Sequence, residues 1–351
     1  MSIENWQSEL HLAWQGQLGD LVTSLVCAPD GRGWAASSAA GEVVWNHGLG
    51  ELVVLQSPAG DGAISQMAFS ADSRWLAAGG QAGKLAIWNC DRSDAALPPQ
   101  LAATIDIDEW IEHLVWHPTA PYLAISYGAQ VQIWDVLTST KIAAWQLDRS
   151  SVFDLAWHPS GDRIAAAGDK GVQMWSAIEP NAPSDHLAVD TTSLKLAWSA
   201  DGRYLAIGNF DRTLTLIDWQ QPDEQWTLQG CPGKIRQLAW LKGTDPPSLA
   251  VASGETIVLW TLSADATTWN GLSLSGHQDI VIATISHPIA PILATAGADG
   301  YACLWTLDGQ IEQILNLPIV SGFTVINWHP QALYLAAGMR TGAIGIWIIP
   351  A

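Results

Sequence analysis

Basic residues are few in this chain. Fifteen Lys and Arg stand against 34 Asp and Glu, a net charge of −19 over 351 residues. Such a surface repels phosphate backbones and anionic lipid headgroups, so nucleic acid is a poor partner; the charge serves solubility first, with a basic protein surface as the alternative it would suit. Cysteine is scarce too. Cys27, Cys90, Cys231 and Cys303 form no C-x-x-C pair, and the closest two are 63 positions apart. Four thiols so spaced are no disulfide-stapled scaffold and suit a reducing, cytoplasmic setting. No window holds eighteen consecutive apolar residues, so no helix is expected to insert in a membrane. The first residues lack the basic-then-apolar order of a secretory leader. Apolar patterning at the helical period is negligible.

What is abundant is turn residues and tryptophan: 31 Gly, 18 Pro and 21 Trp, in a chain that is 48% hydrophobic. The tryptophans recur. Trp45, Trp88, Trp134, Trp175, Trp260, Trp305 and Trp347 are separated by 43, 46, 41, 85, 45 and 42 residues. The gap of 85 is a double step, with Ile217 in the missing Trp position. The chain therefore consists of eight units of about 44 residues. Each unit reads as short, period-two apolar runs divided by turns. The first run ends in a large residue and a turn, as at Trp116-His117-Pro118 and Trp157-His158-Pro159. The second is small and apolar, as at Leu76, Ala77 and Ala78. The third carries the unit Trp, and a weaker fourth follows most units.

Four strands per unit, repeated eight times, predict an all-β, eight-bladed propeller of four-stranded antiparallel blades. Small residues suit strands that converge on an axis, and aromatic residues suit the widening gaps between blades. The last unit ends without a fourth strand, whereas an unpartnered alternating run, Glu9 to Gln15, precedes the first. The N-terminal strand is thus expected to complete the eighth blade and remove a sheet edge. No linker or second domain interrupts the pattern, so residues 1–351 read as one domain.

These features resemble the WD-repeat family of β-propellers over nearly the whole chain, about residues 9–349. Unit seven carries the family pattern best. The resemblance implies a hydrogen-bonded set of His277, Asp299, Thr295 and Trp305. The chemistry is coherent: Trp donates, the hydroxyl relays, His bridges and a carboxylate ends the chain. Elsewhere the pattern is degraded. Trp134-Asp135 is the one Trp-Asp pair, Asp169 and Asp211 keep only a turn acid, and Ala39, Ala82 and Thr341 have lost it. Apolar packing is expected to hold those blades. Eight repeats also depart from the family's usual seven.

The resemblance further implies a non-enzymatic scaffold that binds one or more proteins on the face made by the fourth-to-first and second-to-third connections. That top face is expected to carry Asp106, Asp108, Glu109, Trp110, Arg149, Phe210, Arg212, Arg236, Tyr301, Phe323 and Arg340, with Asp148 and Lys234 beside them. Arg and aromatic residues are frequent binding hot spots. The chain alone is expected to be a monomer without cofactor or metal. The alternatives are a propeller that handles a small ligand or zinc, and a cofactor-dependent propeller enzyme. For zinc, the candidates are the four turn histidines His117, His158, His287 and His329, but equivalent turns of neighbouring blades stand too far apart for one tetrahedral ion. For hydrolysis, His186 lies near Ser184 and Asp185, yet no nucleophile-elbow or phosphate-loop motif accompanies them.

Overall fold

The computed structural model describes residues 9–58, 62–91, 97–221, 225–319 and 321–349. It contains eight four-stranded antiparallel sheets, and no helix among the described residues. Blades 1 to 8 have the first strands Val22–Cys27, Ile64–Phe69, His113–Trp116, Asp154–Trp157, Ser193–Trp198, Ile235–Trp240, Val281–Ser286 and Phe323–Trp328. Seven blades are simple meanders of consecutive strands. The eighth takes its outer strand, His11–Gln17, from the N-terminal end of the chain, where Gln15 pairs with Gly345 and Gln17 with Ala343.

Register explains the period. The unit residue pairs with an apolar residue of the second strand in each case: Leu76 with Trp88, Leu123 with Trp134, Leu293 with Trp305 and Leu335 with Trp347. Ile217 pairs with Leu205 in the same way, so it occupies the Trp position of blade 5. The second strands are buried throughout most blades, as in Ser248–Ser253. They carry Ala, Gly and Ser because each is flanked by sheets on both faces.

The apolar clusters lie between blades rather than within them. One joins Val22, Leu25 and Trp34 of blade 1 to Tyr334, Ala336, Ile344 and Ile346 of blade 8, across the closure. Burying one indole of ~200 Å² stabilises by about 5 kcal/mol before entropy is counted. The tryptophans ending the first strands also reach sideways. Trp116 Nε1 donates to Ala68 O at 2.9 Å, Trp157 to Val115 O at 3.2 Å and Trp240 to Ala197 O at 3.0 Å, each in the preceding blade.

The turn histidines answer in the other direction. His117 Nδ1 accepts from the backbone N–H groups of Thr119 and Ala120, which can only donate. Nε2 must then carry the proton, and it donates to Gly161 O of blade 4 at 2.9 Å. His158 holds Gly202 O of blade 5 and His329 holds Gly31 O of blade 1, both at 3.0 Å. A Cβ at Gly161 would stand 2.3 Å from the His117 ring, and the residue has φ +81°, so glycine is required there. His287 accepts from Ile289 and Ala290 and meets Trp328 of blade 8 edge-on. These rings are interblade latches.

A latch works only while Nδ1 is unprotonated. Burial pushes His287 down to about 4 and lowers His117 and His113; beside His113, Asp154 opposes the shift and Lys195 adds to it. Unfolded histidine takes up its proton near 6.5, so below that pH the unfolded chain binds more protons. Stability from His287 is complete above pH 6.5 and is lost between 6.5 and 4, on the order of 3 kcal/mol. Urea midpoints should fall from pH 7 to pH 5, and His287→Gln should make that slope shallower. Parallel slopes for wild type and variant would refute the latch chemistry.

Candidate partner-binding face

The top face is built by two kinds of connection bonded to one another. Ile111 N donates to Gly80 O, Val152 N to Gly128 O, Phe210 N to Thr192 O and Arg340 N to Gly322 O. Each fourth-to-first connection is thereby tied to a second-to-third turn. The first strands enter with a bulge at Thr23, Ser65, Leu194, Arg236, Ile282 and Thr324, where one residue has no paired partner. Bulges redirect a side chain without breaking the ladder. The six bulged residues are all half-buried.

Trp110 sits on the connection between blades 2 and 3. Ile107 N and Asp108 N both donate to Gly83 O. A Cβ at Gly83 would stand 2.7 Å from Glu109 N, so the loop lies directly on that turn. Trp110 is 49% exposed, yet its indole N–H donates to Ser65 Oγ, on the blade 2 bulge, at 2.7 Å. The ring is therefore fixed and open on one side. Asp106, Asp108 and Glu109 are exposed around it.

Arg149, Phe210, Arg212, Tyr301 and Arg340 are likewise exposed on this face, and Arg236 is half-buried on the blade 6 bulge. Phe323 is not on the surface. It is fully buried, with its ring 6.2 Å from that of Trp347. The bulge at Thr324 shifts the alternation by one residue and turns Phe323 into the space between blades 7 and 8.

Blade 7 contains the hydrogen-bonded set. Trp305 Nε1 donates to Thr295 Oγ1 at 2.8 Å, and Thr295 Oγ1 lies 2.8 Å from His277 Nε2. His277 Nδ1 lies 3.0 Å from Asp299 Oδ2. The same carboxylate accepts from Gln278 N and Tyr301 N. Carboxylate oxygens only accept here, so Nδ1 bears the proton and Nε2 accepts from the Thr295 hydroxyl. Both ring nitrogens are thus engaged within the blade.

Blade 5 departs from the expectation of purely apolar packing. Buried Asn209 donates to Thr213 Oγ1 and Thr215 Oγ1, and Ser193 donates to Asn209 Oδ1. Asp211 accepts from Thr213. The polar core is rebuilt with other residue types.

The remaining candidates fall apart in space. His186 pairs on the outer strand of blade 4 opposite Gln173, and it is exposed. No group of three or more His, Cys, Asp or Glu among the described residues is placed to hold a metal ion. Burial pushes the thiols of Cys27 and Cys303 up to about 12 and that of Cys231 up to about 11, so they are poor nucleophiles.

A family model described as "WD domain, G-beta repeat" matches residues 52–89, 142–176 and 270–306. Each match begins in the outer strand of one blade and ends at the third strand of the next, the same offset by which the N-terminal strand closes the ring. Three of the eight units thus carry WD-repeat sequence, and the ring they belong to is a β-propeller. Similar stretches occur in larger proteins. Minichromosome loss protein 1 of Schizosaccharomyces pombe is 24% identical over 177 residues, covering 48% of this chain and 22% of the relative. Protein transport protein SEC31 of Candida glabrata is 21% identical over 169 residues, covering 43% and 13%. Telomerase protein component 1 of Rattus norvegicus is 26% identical over 163 residues, covering 45% and 6%. The similarity thus spans less than a quarter of each of these relatives.

Proposed function

We propose that this WD-repeat propeller is a non-enzymatic scaffold that docks partner proteins on its top face, in the cytoplasm. The single observation that carries the reading is Trp110. A half-exposed indole is held by Ser65 on a loop pinned to blade 2, so docking costs little ordering entropy. Its acidic surroundings and the net charge of −19 suit a cationic segment, whose Lys or Arg can lie on the ring face. The names of the relatives, a transport protein and a telomerase component, are consistent with roles in assemblies. Four free cysteines accord with a reducing compartment.

A fluorescein-labelled dodecapeptide of alternating Arg and Gly should bind at low salt and weaken as salt rises. Trp110→Ala should reduce its affinity about tenfold, in the range of an interface hot spot, without altering the circular dichroism spectrum. Equal affinity for wild type and variant would remove this reading.

A further inference from the structure

Ion pairing divides the arginines by face. On the bottom face, formed by first-to-second and third-to-fourth connections, every described arginine has a carboxylate. Arg32 pairs with Asp30 at 3.5 Å, Arg74 with Asp91 at 2.9 Å, Arg163 with Asp185 at 2.8 Å and Arg203 with Asp218 at 2.8 Å. On the top face, Arg149, Arg212, Arg236 and Arg340 have none within 4 Å among the described residues. This separation occurs in a chain with 34 carboxylates.

Three of the four unpaired arginines lie on consecutive blades. Arg149 is in the connection entering blade 4, Arg212 in the blade 5 turn and Arg236 on the blade 6 bulge. Lys170 and Lys234 stand among them, exposed. Lys170 Nζ donates to Asp190 O, and Arg212 Nη1 to Pro232 O. Carbonyl contacts hold these side chains without neutralising them. The carboxylates of Asp169 and Asp211 are turned to Thr192 and Thr213 within the loops. Phe210, 66% exposed, stands at the centre of the arc.

We propose that the arc on blades 4 to 6 docks an acidic segment of a partner protein, with its carboxylates on Arg149, Arg212 and Arg236 and an apolar side chain on Phe210. This rests on the scaffold reading above and adds a second sector, opposite in charge to the Trp110 sector. Guanidinium forks pair with carboxylates in two parallel bonds, a short-range geometry that gives specificity. The net charge of the chain does not prevent it, because fields beyond about 8 Å are screened at physiological salt. A protein segment fits better than nucleic acid. Asp148 and Asp190 lie exposed in the same arc, where a continuous phosphate backbone would meet them.

The test uses the full chain and three fluorescein-labelled probes: a dodecapeptide of Asp, Glu and one central Leu, the Arg-Gly dodecapeptide, and a twelve-nucleotide single strand. The acidic peptide should bind with micromolar affinity in 50 mM salt and weaken at least fivefold in 200 mM. Arg149→Gln, Arg212→Gln and Arg236→Gln should each weaken it about threefold or more, and the triple variant at least tenfold. Lys141→Gln with Lys242→Gln, which removes charge elsewhere, should leave it within twofold. Absence of acidic-peptide binding, equal loss in the control variant, or equal binding of the single strand would each overturn the proposal. Arg-Gly binding that persists when acidic binding fails sinks this arc alone; loss of both sinks the scaffold reading as well.

Discussion

Deletion of residues 1–17 is expected to open the ring and remove more than about 5 kcal/mol of stability. The strand His11–Gln17 supplies the outer edge of blade 8 and its whole ladder to Ala343–Ile348. Six paired positions at about 1 kcal/mol per net hydrogen bond already represent several kcal/mol. Leu10, 2% exposed, adds about 2 kcal/mol of burial. Its backbone also exchanges two hydrogen bonds with Gln313 of blade 7. Trp14 meets Trp34 of blade 1 edge-on, and Gln17 Nε2 donates to Thr341 O. The strand therefore touches blades 7, 8 and 1 together, and its loss exposes an unpaired edge to aggregation. The midpoint of thermal unfolding should fall by about 7 °C or more, with light scattering appearing at lower temperature. An unchanged midpoint would mean that closure does not depend on this strand.

Asp299→Ala should cost about 1–3 kcal/mol. It removes the acceptor for three donors at once: His277 Nδ1, Gln278 N and Tyr301 N. The buried His277 Nδ1 donor accounts for most of this, roughly 1–3 kcal/mol, because Gln278 N and Tyr301 N lie nearer solvent and add less. Gly297→Ala should be comparably damaging for a different reason. Its Cβ would stand 2.4 Å from Asp299 Oδ1 and 2.5 Å from His277 Nδ1, so the pair must separate. Thr295→Val cuts the same chain on the other side of the ring, between His277 and Trp305. In a double-mutant cycle, Asp299→Ala and Thr295→Val should be strongly non-additive. Additive effects in urea denaturation would show that the four residues do not act as one network.

Sequence spacing disclosed the ring because propeller blades repeat their geometry. Ile217 could be placed without a Trp since its distance from Trp175 and Trp260 left one position open, and its pairing with Leu205 is the common one. The strand Glu9 to Gln15 was legible from a count of partners. Phe323 was misread because a bulge changes the alternation by one, and period-two patterning does not locate the extra residue. The histidine latches escaped notice for another reason. Three of them need a glycine in the next blade's turn, 44 residues on at His117 with Gly161 and at His158 with Gly202. That offset equals the repeat length, so the His and Gly signals looked like independent features of separate turns.

The sequence by itself determined the architecture: strand number, blade number, the closing strand and the network residues of blade 7. Strand number, blade number and the closing strand follow from period and apolar patterning along the chain; the network residues of blade 7 follow from the resemblance to WD-repeat propellers. The tertiary structure alone decided the division of charge. Arg32 and Arg149 each sit beside an aspartate in a turn, in Asp30-Gly31-Arg32 and Asp148-Arg149. One meets a carboxylate and the other does not, because pairing depends on what neighbouring loops bring within 4 Å. The same holds for Trp110, whose indole is fixed by Ser65, 45 residues away and one blade back.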